Sequence, residues 1–369
     1  MFTEKQFLTS ISGIELDRYL DSGWYRMGQI IFTCHFLFFE NNLYSPIWIR
    51  LPLSGYNFRK SLRKIKRQVE QQFRVEVRPG IIDPFKENVY QKYRHSFRGD
   101  LAPTLLESLQ DNGPFNIYNS MCVEVFHGKK LVAFSFFDVG EKSLASIQGV
   151  YDPAYSDHSL GFYTMLVEIQ YGLDHGFVYY YPGYIVPGFS RFDYKLRVGK
   201  KEEIEFYDLK SRTWLNFTSF SKENIPVEVL SQKLMAMGWL LSKENIACQI
   251  LYYPAYDATV FGYEKDRLLD SPLFLNVFMD NFQSPKFIIS YDIWKEKFVF
   301  CHTVTLEELG YYFEYSMQYD NTSASHFLDF IATQSKILET NEPAEILSIA
   351  RTIKPLLRRD EKLGFFGRR

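Results

Sequence analysis

Ser159, Leu160 and Gly161 stand where a strand pattern gives way to a helical one. Residues 131–137 and 145–151 alternate as strands. A helix is then predicted from the apolar spacing of Phe162, Met165, Leu166, Ile169 and Leu173. The first backbone N–H groups of a helix have no acceptor within it and can face an anion. These residues predict a phosphate or ribose site, although an ordinary capped helix N-terminus would show the same pattern.

A predicted helix over residues 57–72 carries a second group of candidate residues, all basic: Arg59, Lys60, Arg63, Lys64 and Arg67. Such a row could follow the phosphates of a nucleic acid, and a solvated helix face explains it equally well. The chain has 42 Lys and Arg against 44 Asp and Glu, a net charge of −2. Because the overall field does not attract phosphates, any nucleic-acid contact must come from local patches.

A helical region is predicted over residues 84–110, with a division near Ala102 and Pro103. Its spacing of three to four residues puts Tyr90 near Tyr93 and Arg94 on one side. This predicts a polar network that lines a cleft. The alternative is a helix that packs its aromatic rings while Arg94 and the following histidine face solvent.

The elements that position these residues predict an α+β fold. Two helices, three antiparallel strands, a helix and a strand follow one another, which is the order of a GNAT-like acyltransferase fold: a mixed, mainly antiparallel sheet flanked by helices. We predict an N-terminal ββαβ domain over residues 1–80, a GNAT-like domain over 81–220 and an accessory α+β region over 221–369. In the accessory region we expect helices over 227–241, 305–319 and 324–340.

The four cysteines predict reduced core thiols rather than a metal site, since no two have metal-ligand spacing. We therefore expect no metal and no cofactor. The first ten residues lack a signal-peptide pattern, and no apolar run approaches membrane-spanning length. A cytoplasmic location follows as an expectation.

The first 215 residues resemble the arginyl-tRNA–protein transferase family, including its bacterial leucyl-transferring branch. The matching blocks, in order, are Gly23-Trp24-Tyr25-Arg26-Met27-Gly28, the basic helix, Tyr90 with Tyr93-Arg94-His95, residues 128–138, Tyr151-Asp152-Pro153, Ser159-Leu160-Gly161 with Tyr163, and Gly183-Tyr184-Ile185 with Tyr194-Lys195. Three departures stand out. Only Cys34 and His35 remain of the family's N-terminal cysteine cluster, Tyr25 replaces an arginine, and Pro182 precedes Gly183.

The resemblance implies an aminoacyl-tRNA–protein transferase, which moves Arg or Leu from tRNA to the N-terminal amine of acceptor proteins as a degradation mark. Its partners would be aminoacyl-tRNA and acceptor N-termini, with no membrane. The implied catalytic residues are His95, Asp138 and Lys195. Those implied for the tRNA 3′ end are Tyr151, Asp152, Ser159, Leu160, Gly161, Tyr163 and Tyr184. Tyr90, Tyr93 and Arg94 would bind the acceptor or the tRNA end, and Arg26, Arg59, Lys60, Arg63, Lys64 and Arg67 the tRNA backbone.

Two other functions stay open at this point. An acyl-CoA-dependent N-acetyltransferase of the same fold would need small residues at two positions of its phosphate turn, and Tyr163 occupies the second of them. A catalytically silent binding module is the other alternative, because the cysteine cluster is reduced and a long C-terminal region has been added.

Overall fold

The structure, a computed structural model, describes residues 3–97, 99, 101–261, 268–278, 285–308 and 325–364. The chain forms two compact units. The major unit comprises residues 4–33 and 46–220, and the minor unit residues 1–3, 34–45 and 221–369. Both are mixed α and β with mainly antiparallel sheets, as the composition of predicted elements indicates. The division into three domains by role stays a prediction.

The strands are β1 Thr3–Phe7, β2 Tyr25–Met27, β3 Ile30–Cys34, β4 Leu37–Phe39, β5 Asn42–Tyr44, β6 Ile47–Pro52, β7 Arg74–Pro79, β8 Ser120–His127, β9 Lys130–Val139, β10 Ser143–Tyr151, β11 Tyr179–Ile185, β12 Glu205–Asp208, β13 Thr213–Asn216, β14 Cys248–Tyr252, β15 Leu273–Val277, β16 Phe287–Asp292, β17 Lys297–Thr305 and β18 Ile331–Thr340. The α-helices are α1 Gly13–Asp21, α2 Lys60–Glu70, α3 Pro84–Ser96, α4 Leu105–Gln110, α5 Leu160–Asp174, α6 Pro226–Lys243 and α7 Pro343–Gly364. Short 3-10 helices include Pro153–His158 and Ser190–Val198.

The major unit is built on an eight-stranded sheet in the order β13-β12-β6-β11-β10-β9-β8-β7. Helices α2 and α5 pack in one core cluster with the sheet, and α3 and α4 pack in another. Alternation along β9 explains the two clusters, because Ala133 and Phe137 belong to the first and Phe134 and Phe136 to the second. The sequence predictions of α5, of the strands on either side of it and of the break between α3 and α4 are confirmed.

The sheet opens between its two central strands. β10 and β11 are parallel and pair over Ser143–Ala145 and Tyr179–Tyr181. Beyond these pairs β10 continues to pair with β9, and β11 continues with β6, each after a register shift. The two strands therefore diverge within residues 143–185, all of which are described, and leave a V-shaped gap. The hydroxyl of Tyr25 lies at the apex of the gap, near the carbonyl oxygens of Ser146 and Tyr181.

The minor unit contains a five-stranded antiparallel sheet, β14-β15-β16-β17-β18, with α6 and α7 packed beside it. It also takes in the hairpin β4-β5, whose turn residues Glu40 and Asn41 both have positive φ, typical of a tight hairpin turn. The strand that follows the hairpin, Ile47–Pro52, belongs to the sheet of the major unit.

The helix expected over 324–340 is wrong. Residues 331–340 form β18, because Ile331 and Ala332 are buried against β17 and the strand is paired along most of its length. The helix expected over 227–241 is confirmed as α6. Of the helix expected over 305–319, residues 309–319 lie outside the described residues. No helix within the described ranges is long and apolar enough to cross a membrane.

Candidate functional site

A cavity of about 790 Å³ lies in the gap between the diverging strands of the major unit. One wall comes from β10 and the other from β11 and the 3-10 helix Ser190–Val198. The start of α5 and the end of α3 complete it. Its lining includes Tyr93, Ser135, Ser146, Gly149, Tyr151, Ser159, Leu160, Gly161, Gly183, Tyr184, Arg191, Lys195 and Arg197.

The N-terminus of α5 faces this cavity without a side-chain cap. Ser159 has a left-handed backbone, with φ 52° and ψ 36°, and its hydroxyl does not bond the helix. Its carbonyl accepts from the N–H groups of residues 162 and 163. The N–H groups of Leu160 and Gly161 precede the first intrahelical bond and carry the positive end of the helix dipole. The arrangement suits an anion or a ribose, as the sequence predicts.

Lys195 reaches into the same cavity from the 3-10 helix. Its Nζ donates to the Tyr184 carbonyl oxygen at 3.1 Å and lies 5.0 Å from the centre of the Tyr184 ring. Desolvation there lowers the pKa of the ammonium to about 8. Gly183 makes room for it, because a Cβ at that position would lie 3.0 Å from Nζ and the φ of 93° is left-handed.

Positive charge continues from the cavity to α2. Arg191 and Arg197 are exposed on the cavity lining, and Arg59 donates to the Arg197 carbonyl oxygen at 2.9 Å. The predicted basic residues of α2 are exposed: Lys60, Arg63, Lys64 and Arg67, as is Arg59 before its start. The helix buries Leu62 and Val69 on its other side. A basic face therefore begins beside the cavity.

Arg26 and Asp138 are paired in the interior. Arg26 Nη1 lies 2.8 Å from Asp138 Oδ1, and both side chains are nearly inaccessible to water. The guanidinium also donates to Ser120 Oγ at 3.0 Å and to the Gly28 carbonyl oxygen at 2.8 Å. Although Arg26 contributes to the cavity lining, its donors are directed at protein atoms. Burial raises the pKa of Asp138, while Arg26 opposes that shift.

The predicted aromatic and basic residues of α3 separate in the structure. Tyr93 lines the cavity and meets Tyr151 edge to face, with ring centres 5.3 Å apart. Tyr90 is fully buried and donates to the Ala102 carbonyl oxygen at 2.7 Å. Arg94 contacts the Leu101 carbonyl oxygen at 3.4 Å. His95 is exposed, and it lines a separate open groove that also includes Asp152.

Two residues predicted for the donor lie away from the cavity lining. Asp152 accepts from the Ala154 N–H at 3.1 Å and pairs with Lys130 at 2.9 Å and Lys92 at 3.2 Å. Tyr163 is buried, and its hydroxyl donates to Glu70 at 3.3 Å. The other donor residues, Tyr151, Ser159, Leu160, Gly161 and Tyr184, do line it.

Glu168 is a residue that sequence reasoning missed. Its carboxyl is fully buried on α5 and accepts from Ser135 Oγ at 2.5 Å and from the Tyr180 hydroxyl at 2.7 Å. The Ser146 side chain lies near enough to oppose a rise in the pKa of this carboxyl. Burial raises the pKa of the carboxyl to about 7. The sequence does contain a signal for this residue, because Glu168 is a carboxylate within a helix that is otherwise apolar on nearly every side.

The residues around Cys34 do not fit the family's metal site. Cys34 is buried, and burial raises the pKa of its thiol well above the usual range. The neighbouring His35 is also buried, and desolvation lowers its pKa to about 3. Within the described ranges no three His, Cys, Asp or Glu side chains are grouped so that they could hold a metal ion.

Comparison with known proteins finds a family match and several relatives. Residues 85–205 match the family model described as arginine-tRNA-protein transferase, C terminus. An aspartate/glutamate leucyltransferase of Leptospira interrogans is 26% identical over 194 residues, which covers 51% of this chain and 74% of the relative. One from Helicobacter hepaticus is 26% identical over 192 residues, with 48% and 74% covered. One from Acinetobacter baumannii is 29% identical over 111 residues, with 29% and 41% covered.

Solved structures resemble the chain only weakly. The structure of L-PGS from Bacillus licheniformis has a TM-score of 0.30 at 14% identity and covers 46% of this chain and 49% of its own. A GCN5-related glucosamine N-acetyltransferase region of a fungal multi-domain β-N-acetylglucosaminidase has a TM-score of 0.28 at 11% identity, with 52% and 21% covered. Scores at this level do not establish a shared fold.

Proposed function

We propose that the chain is an arginine-tRNA-protein transferase relative that transfers an amino acid from tRNA to the N-terminal amine of acceptor proteins, on the support of the family match and of the relatives named above. The observation that carries the proposal is the cavity between β10 and β11, which combines an uncapped helix N-terminus, a desolvated lysine and a basic face. Aminoacyl-tRNA is a cytoplasmic molecule, so the proposal places the reaction in the cytoplasm.

We assign the sheet of the major unit to the GNAT type. The support is topological: two parallel central strands diverge, and the helix that connects them starts at the resulting gap. Backbone N–H groups at such a helix start suit the 3′-terminal nucleotide of the donor. The rings of Tyr151 and Tyr184 on opposite walls suit stacking on its base.

The basic face extends this assignment to the body of the tRNA. Arg191 and Arg197 at the cavity, followed by Arg63, Lys64 and Arg67 on α2, would meet successive backbone phosphates. Arg26 is a weaker candidate for this role, since its donors are occupied in the interior. Its contact with tRNA stays a prediction.

In the proposed reaction the acceptor nitrogen bonds to the carbonyl carbon of the aminoacyl ester. The bond from that carbon to the ribose oxygen breaks, and a proton from the amine ends on that oxygen. The ammonium of Lys195 would stabilise the negative charge that develops on the carbonyl oxygen. An ester is already activated, so holding it against the amine supplies much of the rate. Catalytic roles for His95 and Asp138 stay predictions.

For the substrates we propose leucyl-tRNA and acceptors that begin with Asp or Glu, after the relatives named aspartate/glutamate leucyltransferase. The cations at the cavity, Arg191, Lys195 and Arg197, support acidic acceptors because each could pair with the carboxylate of the first residue.

An acyl-CoA donor is the alternative that must be tested beside tRNA. Tyr163 favours neither acyl-CoA nor aminoacyl-tRNA as the donor, because its ring is buried near Glu70 and does not occupy the cavity. Phosphates of either donor could use the start of α5. The basic face of α2 favours the larger polyanion.

The experiment mixes the full-length protein with labelled leucyl- or arginyl-tRNA and peptides that begin with Asp, Glu, Arg, Lys or Ala. We expect leucine to appear on the Asp and Glu peptides. Transfer to none of them, together with no tRNA binding at low salt, would refute the proposal. Acetylation of the peptides by acetyl-CoA would establish the alternative, and tRNA binding without transfer would indicate a binding module.

A further inference from the structure

Glu168 is a buried carboxyl that the proposed reaction has not used, and it lies one hydroxyl group away from the cavity. Ser135 and Ser146 both line the cavity. Ser135 donates to this carboxyl, and the Ser146 side chain lies near enough to lower its pKa. Ser135 stands on β9, Ser146 on β10, Tyr180 on β11 and Glu168 on α5, so four elements converge here. We call Ser135, Ser146, Glu168 and Tyr180 the Glu168 cluster.

The hydrogen bonds of the cluster fix what it presents to the cavity. A serine hydroxyl has one proton, and Ser135 donates it to Glu168 Oε1 at 2.5 Å. The lone pairs of such a hydroxyl oxygen then remain as acceptors for a group in the cavity. Lys195, Arg191 and Arg197 present donors elsewhere on the lining. The cavity therefore has one part suited to anions and another suited to an N–H cation.

Within the part of the chain that the structure describes, no neighbouring cation contributes to the pKa shift of Glu168. The titratable groups that sense its charge are Tyr180 on β11, Tyr25 on β2, Cys122 on β8 and Tyr194 on the 3-10 helix. None of these four is a cation. An ammonium that enters the cavity would supply the missing counter-charge, since a buried carboxylate is costly without a partner.

We propose that the Glu168 cluster is the subsite for the α-ammonium of the acceptor N-terminus, and that Glu168 accepts its proton through the Ser135 or Ser146 hydroxyl. This inference rests on the proposed function and deepens it. The serine oxygen takes one proton from the ammonium as its own hydroxyl proton passes to Glu168, and the neutral amine then attacks the ester. Glu168 releases the proton to water before the next turnover, so one proton leaves for each amide formed.

The test compares two acceptors with each variant of the full-length protein. One is an Asp-initiated peptide with its natural α-amine, and the other carries an aminooxy group in place of that amine. The aminooxy group is already neutral at pH 6.5 and needs no proton acceptor. With leucyl-tRNA as donor, we expect Glu168→Gln to slow transfer to the natural peptide by about 100-fold or more and transfer to the aminooxy peptide by less than about 10-fold.

Two further variants guard against loss of structure. Ser146→Ala keeps the carboxyl but removes one hydroxyl, and we expect a smaller selective loss on the natural peptide. Ser290→Ala removes a buried strand hydroxyl in the minor unit and should change neither rate. Binding of a non-hydrolysable leucyl-tRNA analogue should be the same in all three variants, because the cluster contacts the acceptor.

The outcomes separate the two proposals. Equal losses on both peptides, or no loss in Glu168→Gln, would overturn the role of the cluster while wild-type transfer still supports the function. A wild-type protein that transfers to neither peptide would overturn the function and this inference together. Selective loss on the natural peptide would support both.

Discussion

At the scale of single residues, Lys195 is the cation whose charge depends most directly on the cavity. Its ammonium lies against the Tyr184 carbonyl, and desolvation brings its pKa to about 8. If the charged form stabilises the reacting carbonyl, transfer must decline as the pH rises through 8. An arginine in its place stays charged throughout this range.

We therefore expect Lys195→Met to reduce transfer by roughly 100-fold, the effect of losing one preorganised donor. Lys195→Arg should retain part of the activity and lose the decline above pH 8. The measurement is transfer against pH from 6 to 9.5, expressed as the ratio to wild type so that titration of the peptide amine cancels. Lys200→Met, an exposed lysine five residues later, is the control. An unchanged alkaline decline in Lys195→Arg would assign that titration to another group.

Glu168 has a consequence for stability as well. Its folded-state pKa of about 7 lies above the ordinary value of 4.5, because ionisation inside the protein is costly. The folded state therefore holds this proton more tightly than the unfolded chain does. The retained proton makes its full contribution to the free energy of unfolding below pH 4.5, and this contribution is lost as the pH rises to about 7.

We expect Glu168→Gln to abolish this pH-dependent decrease in the free energy of unfolding, which amounts to roughly 3 kcal/mol for a pKa shift of this size. The measurement is urea unfolding at pH 5 and pH 8, comparing the difference between the two pH values in wild type and variant. A difference that is the same in both proteins would show that Glu168 titrates at its ordinary pKa. Glutamine has nearly the same shape as glutamate, so the substitution removes the titratable group with little change in packing.

At the scale of elements, α2 has one buried apolar face and one exposed basic face. Leu62 and Val69 are buried, whereas Arg63 and Arg67 are exposed one turn apart. Charge reversal on the exposed side leaves the buried residues unchanged and reverses the field that a polyanion meets, although it also removes the hydrogen bond from Arg63 to the Phe58 carbonyl oxygen.

The double variant Arg63→Glu/Arg67→Glu should weaken tRNA binding by about tenfold or more and flatten its dependence on salt, because fewer counterions are released. Binding would be measured by filter retention from 50 to 300 mM salt. Lys129→Glu/Lys142→Glu, also exposed and in the same unit, is the matched control. Affinity and salt dependence equal to those of wild type would exclude α2 from the tRNA site.

The elements around the cavity differ in how well the sequence predicts them. Helix α5 and its flanking strands were predictable because their apolar spacing is local, whereas the sequence left open whether the start of α5 is capped. The divergence of β10 and β11 was not, since it depends on β6 pairing with β11 across more than a hundred residues. Without that pairing the cavity has no second wall.

Among the predicted site residues, some lie on the cavity lining and others do not, while their roles stay predictions. Tyr151, Ser159, Gly161, Tyr184 and Lys195 line the cavity. Tyr90 and Tyr163 match the family pattern equally well, yet their rings pack in the interior. A motif gives the identity of a residue, whereas burial depends on which neighbours the fold brings to it. Glu168 was missed for the converse reason, since a lone acid in an apolar helix matches no motif.

At the scale of the whole molecule, the chain passes between the two units four times, at residues 3/4, 33/34, 45/46 and 220/221. The short segment 34–45 belongs to the minor unit, where Phe36 and Leu43 are part of the core cluster. A single cut after residue 220 therefore leaves part of the minor unit attached to the major unit. It also strips Phe36 and Leu43 of the residues that cover them.

We expect a chain of residues 1–220 to aggregate, because these two apolar side chains would be exposed to solvent. Phe36→Ser/Leu43→Ser in the same truncated chain should restore a monodisperse protein, measured by light scattering. In the full-length chain the same pair of changes should instead be destabilising, since it removes core contacts. A truncated chain that is monodisperse without them would contradict the assignment of residues 34–45 to the minor unit.

The placement of residues 34–45 also affects when the protein can fold during its own synthesis. The hairpin Leu37–Tyr44 leaves the ribosome early, but the strands and helices of its core begin only after residue 220. At ordinary translation speeds this interval lasts roughly 10 to 40 seconds, far longer than a hairpin or a helix needs to form. During that time Phe36 and Leu43 lack the residues that cover them in the complete protein. A nascent chain of this design exposes apolar side chains to chaperones until the residues after 220 have been translated.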